Sequence, residues 1–409
     1  MSKRIAILHY ASPPVVGGVE ATIAYHARGL VELGYQVNVV SGSGSTFDER
    51  IETHINPLFG SKQPEILAIK QELDRGVISP SFETLCEELK AALQAALADC
   101  DVCIVHNAHT MNKNLVLTAA LARLSDLHMI AWCHDFAWTM PQYQPELHVG
   151  YPWNLLRERW ANTRYVTVSA PRRDELAALL GMAVTEIKVI GSGMDLARFL
   201  RWTRTTERLV QELHLLEADG LLLLPARLTR RKNIALALEV LAELRKQSQK
   251  DYRLIVTGPP GPHNPSNPGY LGTLLALRRE LKLEGAVHFL YELDNLSFIP
   301  DDDTMADLYQ LCDALFFPSI QEGFGIPMLE AGLSRLPIYC SDIPALRETG
   351  QEDAVYFNPL EDSPQVIARR IHDGFATDAQ HRLRLRVRKS YRWDTIIQQQ
   401  LVPLLEEER

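Results

Sequence analysis

The strongest constraint in this 409-residue chain is an alternation that occurs twice: short apolar runs of β type separated by amphipathic helical stretches. The first series predicts buried strands at 5–9, 37–40, 102–105, 129–132 and 165–168, with helical patterns such as 20–33 and 82–97 between them. The second predicts strands at 221–224, 254–256, 287–289, 314–317, 338–340 and 355–357, separated by helices such as 233–245 and 270–281. Strands that alternate with helices pair in parallel, because each crossover helix returns the chain to the same edge of the sheet. The fold class is therefore α/β, with two doubly wound domains. The break falls between Gly193 and Gly220, where charged and polar residues mix and no strand signal appears. The stretch 382–405 reads as a C-terminal helix. No repeat with a period of about 20–50 residues, the mark of a solenoid, is evident.

Composition limits what such a fold serves. A net charge of −9 argues against nucleic acid as a partner. No run approaches the roughly 18 apolar residues of a membrane span. The apolar start at Ile5–Leu8 is too short for a secretory signal core. The expected location is cytoplasmic, and peripheral contact with a membrane stays open. The cysteines, Cys86, Cys100, Cys103, Cys133, Cys312 and Cys340, mostly sit in apolar runs and predict buried thiols rather than a disulfide framework.

Open α/β sheets bind ligands at the carboxyl ends of their strands. With two such sheets, a cleft between domains is the natural place, and four strand ends carry residues suited to it. Gly17-Gly18 follows the first strand and opens a helix, where bare backbone and free N–H groups can approach an anion. A simple flexible turn is the plainer reading, since neither G-x-G-x-x-G nor a Walker A loop is present. Arg227-Leu228-Thr229-Arg230-Arg231-Lys232-Asn233 puts four cations within six residues after the strand at 221–224. Forked guanidiniums and a point-charge ammonium suit a diphosphate, although a solvated basic turn would look the same.

The most informative string runs from Pro318 to Glu330 and contains Glu322-Gly323-Phe324-Gly325-Ile326-Pro327. Pro327 suits the first turn of a helix. Glu322 then lies in the loop before that helix and Glu330 along it, two carboxylates able to accept from sugar or ribose hydroxyls. Helix capping is the plainer account of Glu322. His134 in Trp132-Cys133-His134-Asp135 ends another strand and titrates near neutrality. Asp301-Asp302-Asp303 reads better as a helix cap than as a cation site. Cys100, Cys103, His106 and His109 have zinc-like spacing, but Cys103 lies inside a strand whose side chains alternate faces. His106 and His109 are expected to line the cleft.

Taken in order, these residues resemble glycosyltransferase family 4, retaining transferases of the GT-B fold. Glu322 and Glu330, with seven residues between them, look like that family's E-x7-E motif, and the likeness covers nearly the whole chain. It implies two Rossmann-like domains facing across a cleft: 1–192 on the acceptor side, 193–385 on the nucleotide-sugar side, and a helix at 386–409 crossing back to the first domain near Trp393. Arg227 and Lys232 would grip the donor diphosphate, so no essential metal or other cofactor is expected. Glu330 would bind the ribose and Glu322 the hydroxyls of the transferred sugar. The backbone of Phe324, Gly325 and Ile326 would hold phosphate or sugar oxygens. Gly17 and Gly18 would let backbone near the phosphates, with His134 by the anomeric centre. Gly258, Leu290 and Tyr291 would lie near the nucleotide.

The implied reaction moves a hexose from a UDP-glucose or GDP-mannose type of donor to a hydroxyl of a small or glycan acceptor. An epimerase or glycoside phosphorylase on the same fold is the alternative, and a phosphorylase needs a second phosphate site, for which Arg172 and Arg173 are the spare pair. Trp138, Tyr143, Tyr151 and Trp153 are able to stack on an acceptor sugar or to pack under a loop. The basic residues Arg382, Arg384, Arg386, Arg388, Lys389 and Arg392 read as a solvated helix face. Five prolines between Pro259 and Gly269 make a stiff loop of open purpose. The oligomeric state is not legible.

Overall fold

Along β1 (Arg4–His9), Ile5 and Ile7 turn into one apolar core while Ala6 and Leu8 turn into another, so the strand is buried on both faces. That is the environment parallel strands need, because crossover helices cover both sides of their sheet. The computed structural model describes residues 3–124, 126–261 and 267–407. The chain divides into two compact units, Met1–Gly193 with Tyr391–Arg409, and Met194–Ser390.

The first unit continues with β2 (Gln36–Ser41), β3 (Glu52–Ile55), β4 (Val102–His106), β5 (Met129–Cys133), β6 (Thr163–Thr167) and β7 (Ile187–Val189). All pair in parallel in the order β3-β2-β1-β4-β5-β6-β7. The chain direction across the sheet reverses between β1 and β4, so their carboxyl ends, His9 and His106, mark the switch point where such sheets take ligands. β3 and β7, which the apolar pattern does not predict, are short edge strands with mostly half-exposed or exposed side chains.

The second unit holds β8 (Gly220–Leu224), β9 (Tyr252–Val256), β10 (Val287–Phe289), β11 (Ala314–Phe317), β12 (Ile338–Ser341) and β13 (Val355–Phe357). Their parallel order is β10-β9-β8-β11-β12-β13, with the switch between β8 and β11. Leu222, Leu224 and Phe316 face one core, and Leu221, Leu223 and Phe317 the other. Residues 194–219, without strand signal, carry helices Leu196–Leu200 and Arg204–Glu212, and Leu209 and Val210 enter this unit's core. No helix among the described residues is long and apolar enough to cross a membrane.

The helical stretch predicted at 382–405 is broken. Helix Ala379–Ser390 belongs to the second unit, and the chain then joins the first, where Trp393, Ile396, Ile397, Leu401 and Leu405 pack with Ile5, Ile7 and Ile104. The two parts bury themselves in different cores, so they do not continue as one helix. The Trp393 ring stacks on Tyr25 at 5.1 Å, and a Cβ at Gly193 would come within 2.6 Å of it.

The basic run before this break is not a uniformly solvated face. Arg388 is buried, with Nη1 2.9 Å from Asp313 Oδ2 and Nη2 donating to the Ala218 carbonyl. Asp313 also accepts from the Leu221 amide at the start of β8. Burial pushes this carboxyl up, but Arg388, His381 and Arg384 outweigh it and hold it below the usual carboxylate range. The resulting stabilisation is present above the unfolded carboxylate value near 4 and is lost as pH falls below it. Asp313→Asn leaves the buried Arg388 guanidinium without its counter-charge and should cost about 3–5 kcal/mol. Denaturant unfolding at pH 7 checks this, and an unchanged midpoint would contradict it.

Candidate active site

In the second unit, the segment after β8 is fastened before it reaches its cations. The Gly258 amide donates to the Ala226 carbonyl and the Leu228 amide to that of Pro259. A Cβ on Gly258 would lie 2.5 Å from the Ala226 oxygen and 2.7 Å from the Arg227 Cα, so this backbone approach requires glycine. Residues 262–266 of the proline-rich stretch, including His263, lie outside the described residues. Arg230–Lys232 forms a single turn, Asn233 takes a left-handed conformation at φ 50°, and helix Ile234–Ser248 follows.

That turn drops Lys232 inward while Arg227, Arg230 and Arg231 stay exposed. Lys232 Nζ lies 2.5 Å from Glu322 Oε1 and 4.8 Å from the centroid of Phe317, the last residue of β11. Burial pushes the ammonium below its ordinary value, and Glu322 opposes that in part. Both side chains are about nine-tenths covered, with exposures of 10% and 8%. A buried charge needs a partner, and at the β8/β11 switch point each supplies the other's. Arg231 Nη1 reaches Glu322 Oε2 at 3.3 Å and donates to the Gln321 carbonyl, while its own carbonyl accepts from the Ile320 amide. Arg231, rather than Arg227, is thus the second cation on Glu322. The Arg227 guanidinium makes no hydrogen bond or ion pair among the described residues, and faces solvent.

Gly325 starts helix Ile326–Leu333 with φ 94°, and a Cβ there would strike Leu346 at 2.6 Å. Phe324 and Ile326 on either side are exposed, and the Phe324 carbonyl accepts from Thr349 Oγ1. Further along, Glu330 Oε2 accepts from the buried Tyr309 hydroxyl at 2.5 Å. The two glutamates therefore have different partners, a cation for Glu322 and a phenol for Glu330. Leu290 is fully buried in the core and Tyr291 is half-buried, so the Leu290 side chain is not available to a nucleotide. Asp301 Oδ1 accepts from the Thr304 amide and caps helix Asp302–Leu311.

In the first unit, Gly17 precedes helix Gly18–Glu32 in an extended conformation that any residue adopts. A Cβ on Gly18 would meet nothing within 4 Å, and one on Gly17 would meet only the mobile carboxylate of Glu20. Neither glycine is demanded by the fold, which leaves open space in front of this loop. His134 follows β5, half-buried, with Nε2 3.0 Å from His106 Nδ1. Burial lowers His134 to about 4, His9 adding to it and Asp135 opposing. The ring is neutral at pH 7.

His106 and His109 do not line a surface. His106 lies fully buried beneath His134, and His109 packs on Trp160 with ring centroids 4.1 Å apart. Of the acceptor-side aromatics, Trp153 is buried, and Trp138 donates to its carbonyl and lies under Arg157. Tyr143 is half-buried against the core, while Tyr151 remains 40% exposed with its hydroxyl on Arg123. Arg172 lies against Glu175 and Asp135, and Arg173 against Asp174. Asn107, whose side chain meets the His134 amide, is a neighbour of a candidate residue that the strand-end motifs miss, and Arg231 is present in its motif without being singled out there.

Residues 206–388 match the family described as "Glycosyl transferases group 1", and residues 16–198 match "Glycosyltransferase Family 4". The chain is 34% identical over 146 residues to the serotype-specific mannosyltransferase WbdA of Escherichia coli, across 36% of this chain and 16% of that protein. It thus spans about a sixth of that relative's length. It is 40% identical over 90 residues to the O-antigen chain mannosyltransferase RfbU of Salmonella typhimurium, covering 22% of this chain and 24% of the relative. A longer match joins it to the mannosylglucosylglycerate synthase of Thermotoga maritima, 23% identical over 365 residues, 82% of this chain and 79% of the relative.

Proposed function

The chain belongs to glycosyltransferase family 4, and on that footing we propose that it is a retaining hexosyltransferase using a UDP-glucose or GDP-mannose type of donor, a small or glycan hydroxyl as acceptor, and no essential metal ion. Its fold is GT-B, built from two Rossmann-like α/β units. The observation that carries the proposal is the buried Lys232–Glu322 pair at the β8/β11 switch point, with the exposed Arg231 beside it. Departure of the nucleotide builds negative charge on a diphosphate, and preorganised cations stabilise that charge without reorganising. Lys232 and the neighbouring guanidiniums supply them. Glu322 turns from Lys232 to hydroxyls of the transferred sugar, and Glu330 accepts from the ribose. The open space at Gly18 supports a close backbone approach to an anion.

Bond breaking at the anomeric carbon gives an oxocarbenium-like centre. Retention is assigned to departure and attack on one face, with the leaving phosphate taking the acceptor's proton. His134, neutral at pH 7, contributes a hydrogen bond to a sugar hydroxyl rather than a proton. Relatives named as mannosyltransferases make GDP-mannose the first donor to test.

Thermal unfolding with UDP-, GDP- and ADP-sugars tests this reading. A ligand at 100 times its Kd stabilises a fold by about 2.7 kcal/mol, so one donor class should raise the melting temperature by several degrees. No shift with any of them would sink the proposal.

A further inference from the structure

Resting on the reading that His134 touches a sugar, we propose that His106 and Asn107, which end and follow β4, are positioning residues that fix the tautomer and orientation of the His134 ring. Nε2 is then spent on the protein, and the neutral ring offers its proton from Nδ1.

The two strand ends lie side by side because β4 pairs with β5, His106 opposite Trp132. The His106 and His134 rings are inclined by only 26°, which suits a hydrogen bond in the plane of both. His9 Nδ1 faces the His106 carbonyl at 3.0 Å, and since a carbonyl only accepts, His9 donates there and pins the end of β4. Asn107 has φ 61°, a left-handed conformation that asparagine tolerates better than most residues. Its Oδ1 accepts from the His134 amide at 2.8 Å. Thr110 Oγ1 donates to the Asp135 carbonyl, and Arg172 lies over the Phe136 ring, so the segment after β5 is held from several sides.

One proton occupies the gap between the two imidazoles. His106 Nε2 is buried and has no hydrogen-bond partner among the described residues. With the proton on His106 Nδ1, that orphan atom is a bare lone pair; with the proton on His134 Nε2, it becomes an N–H with no acceptor. Orphaned buried N–H groups are the rarer case in folded proteins. His106 therefore donates, and a neutral His134 must carry its proton on Nδ1. Burial lowers both rings; at His106, His134, His26 and His9 add to the effect, and at His134, His9 adds to it while Asp135 opposes.

Long-range 1H–15N correlation on the full chain labelled with 15N-histidine reads the tautomer without any variant. The expected spectrum has the His134 proton on Nδ1, and a proton on Nε2 would overturn the proposal. Release of nucleoside diphosphate from UDP-glucose or GDP-mannose supplies the second readout. Asn107→Gly keeps the backbone conformation and deletes the acceptor, so kcat should fall about 10- to 100-fold with little change in KM for the donor. Asn107→Asp retains both acceptor and backbone preference and should recover most of that loss. Wild-type kcat in Asn107→Gly, or no recovery in Asn107→Asp, would refute the positioning role. Full activity in His134→Ala would sink the role given to His134 itself, and is distinguished from failure of the tautomer assignment by the wild-type spectrum.

Discussion

Lys232→Ala is expected to weaken binding of a nucleoside diphosphate about 10- to 100-fold, as loss of one hydrogen bond between charged groups does. Two effects add in the same direction. The variant removes the ammonium proposed to face the diphosphate, and it leaves the carboxylate of Glu322, only 8% exposed, without its partner at 2.5 Å. An unpaired carboxylate next to a phosphate repels it. The double variant Lys232→Ala with Glu322→Ala separates the two contributions: affinity should recover only by the share due to repulsion. Calorimetric titration of UDP and GDP against both variants reads that share. Wild-type affinity in the single variant would remove Lys232 from the donor site.

Glu322→Gln should have the opposite signature. Transfer should fall about 100- to 1,000-fold, the loss that follows when one preorganised polar group at a reacting centre is removed. Affinity for the free nucleoside diphosphate should hold or rise, because Lys232 no longer has a carboxylate competing for its charge. Gln is nearly isosteric and keeps an acceptor for Arg231 at the same site, so the fold should survive. Comparison of kcat for transfer with the Kd of the diphosphate checks the split. Equal losses in both would mean that Glu322 acts only by holding Lys232 in place.

Much of this arrangement is legible in the chain because β1 and β8 are buried on both faces, which forces continuous apolar runs such as Leu221–Leu224. β3 and β7 are not legible, since an edge strand with exposed side chains lacks that signature. The strand-end rule leads to Lys232 and Glu322 because both lie just beyond strands that flank a switch point. It does not select Arg231 over Arg227. That choice depends on how one turn at 230–232 points its side chains, and composition carries no such information. His106 looks like a misplaced zinc ligand in sequence. Its partner, 28 residues away, becomes visible only when β4 and β5 are paired. Arg388 reads as solvated because its counter-charge, Asp313, comes from a different helix–strand junction 75 residues earlier.

In the proposed reaction the chain's own cations, rather than a bridging metal ion, carry the charge of the leaving diphosphate. Nucleotide release from UDP-glucose and GDP-mannose, measured with acceptor present and with excess EDTA added, tests that most directly. The same rate is expected with and without chelator. A rate abolished by EDTA and restored by magnesium or manganese would contradict it.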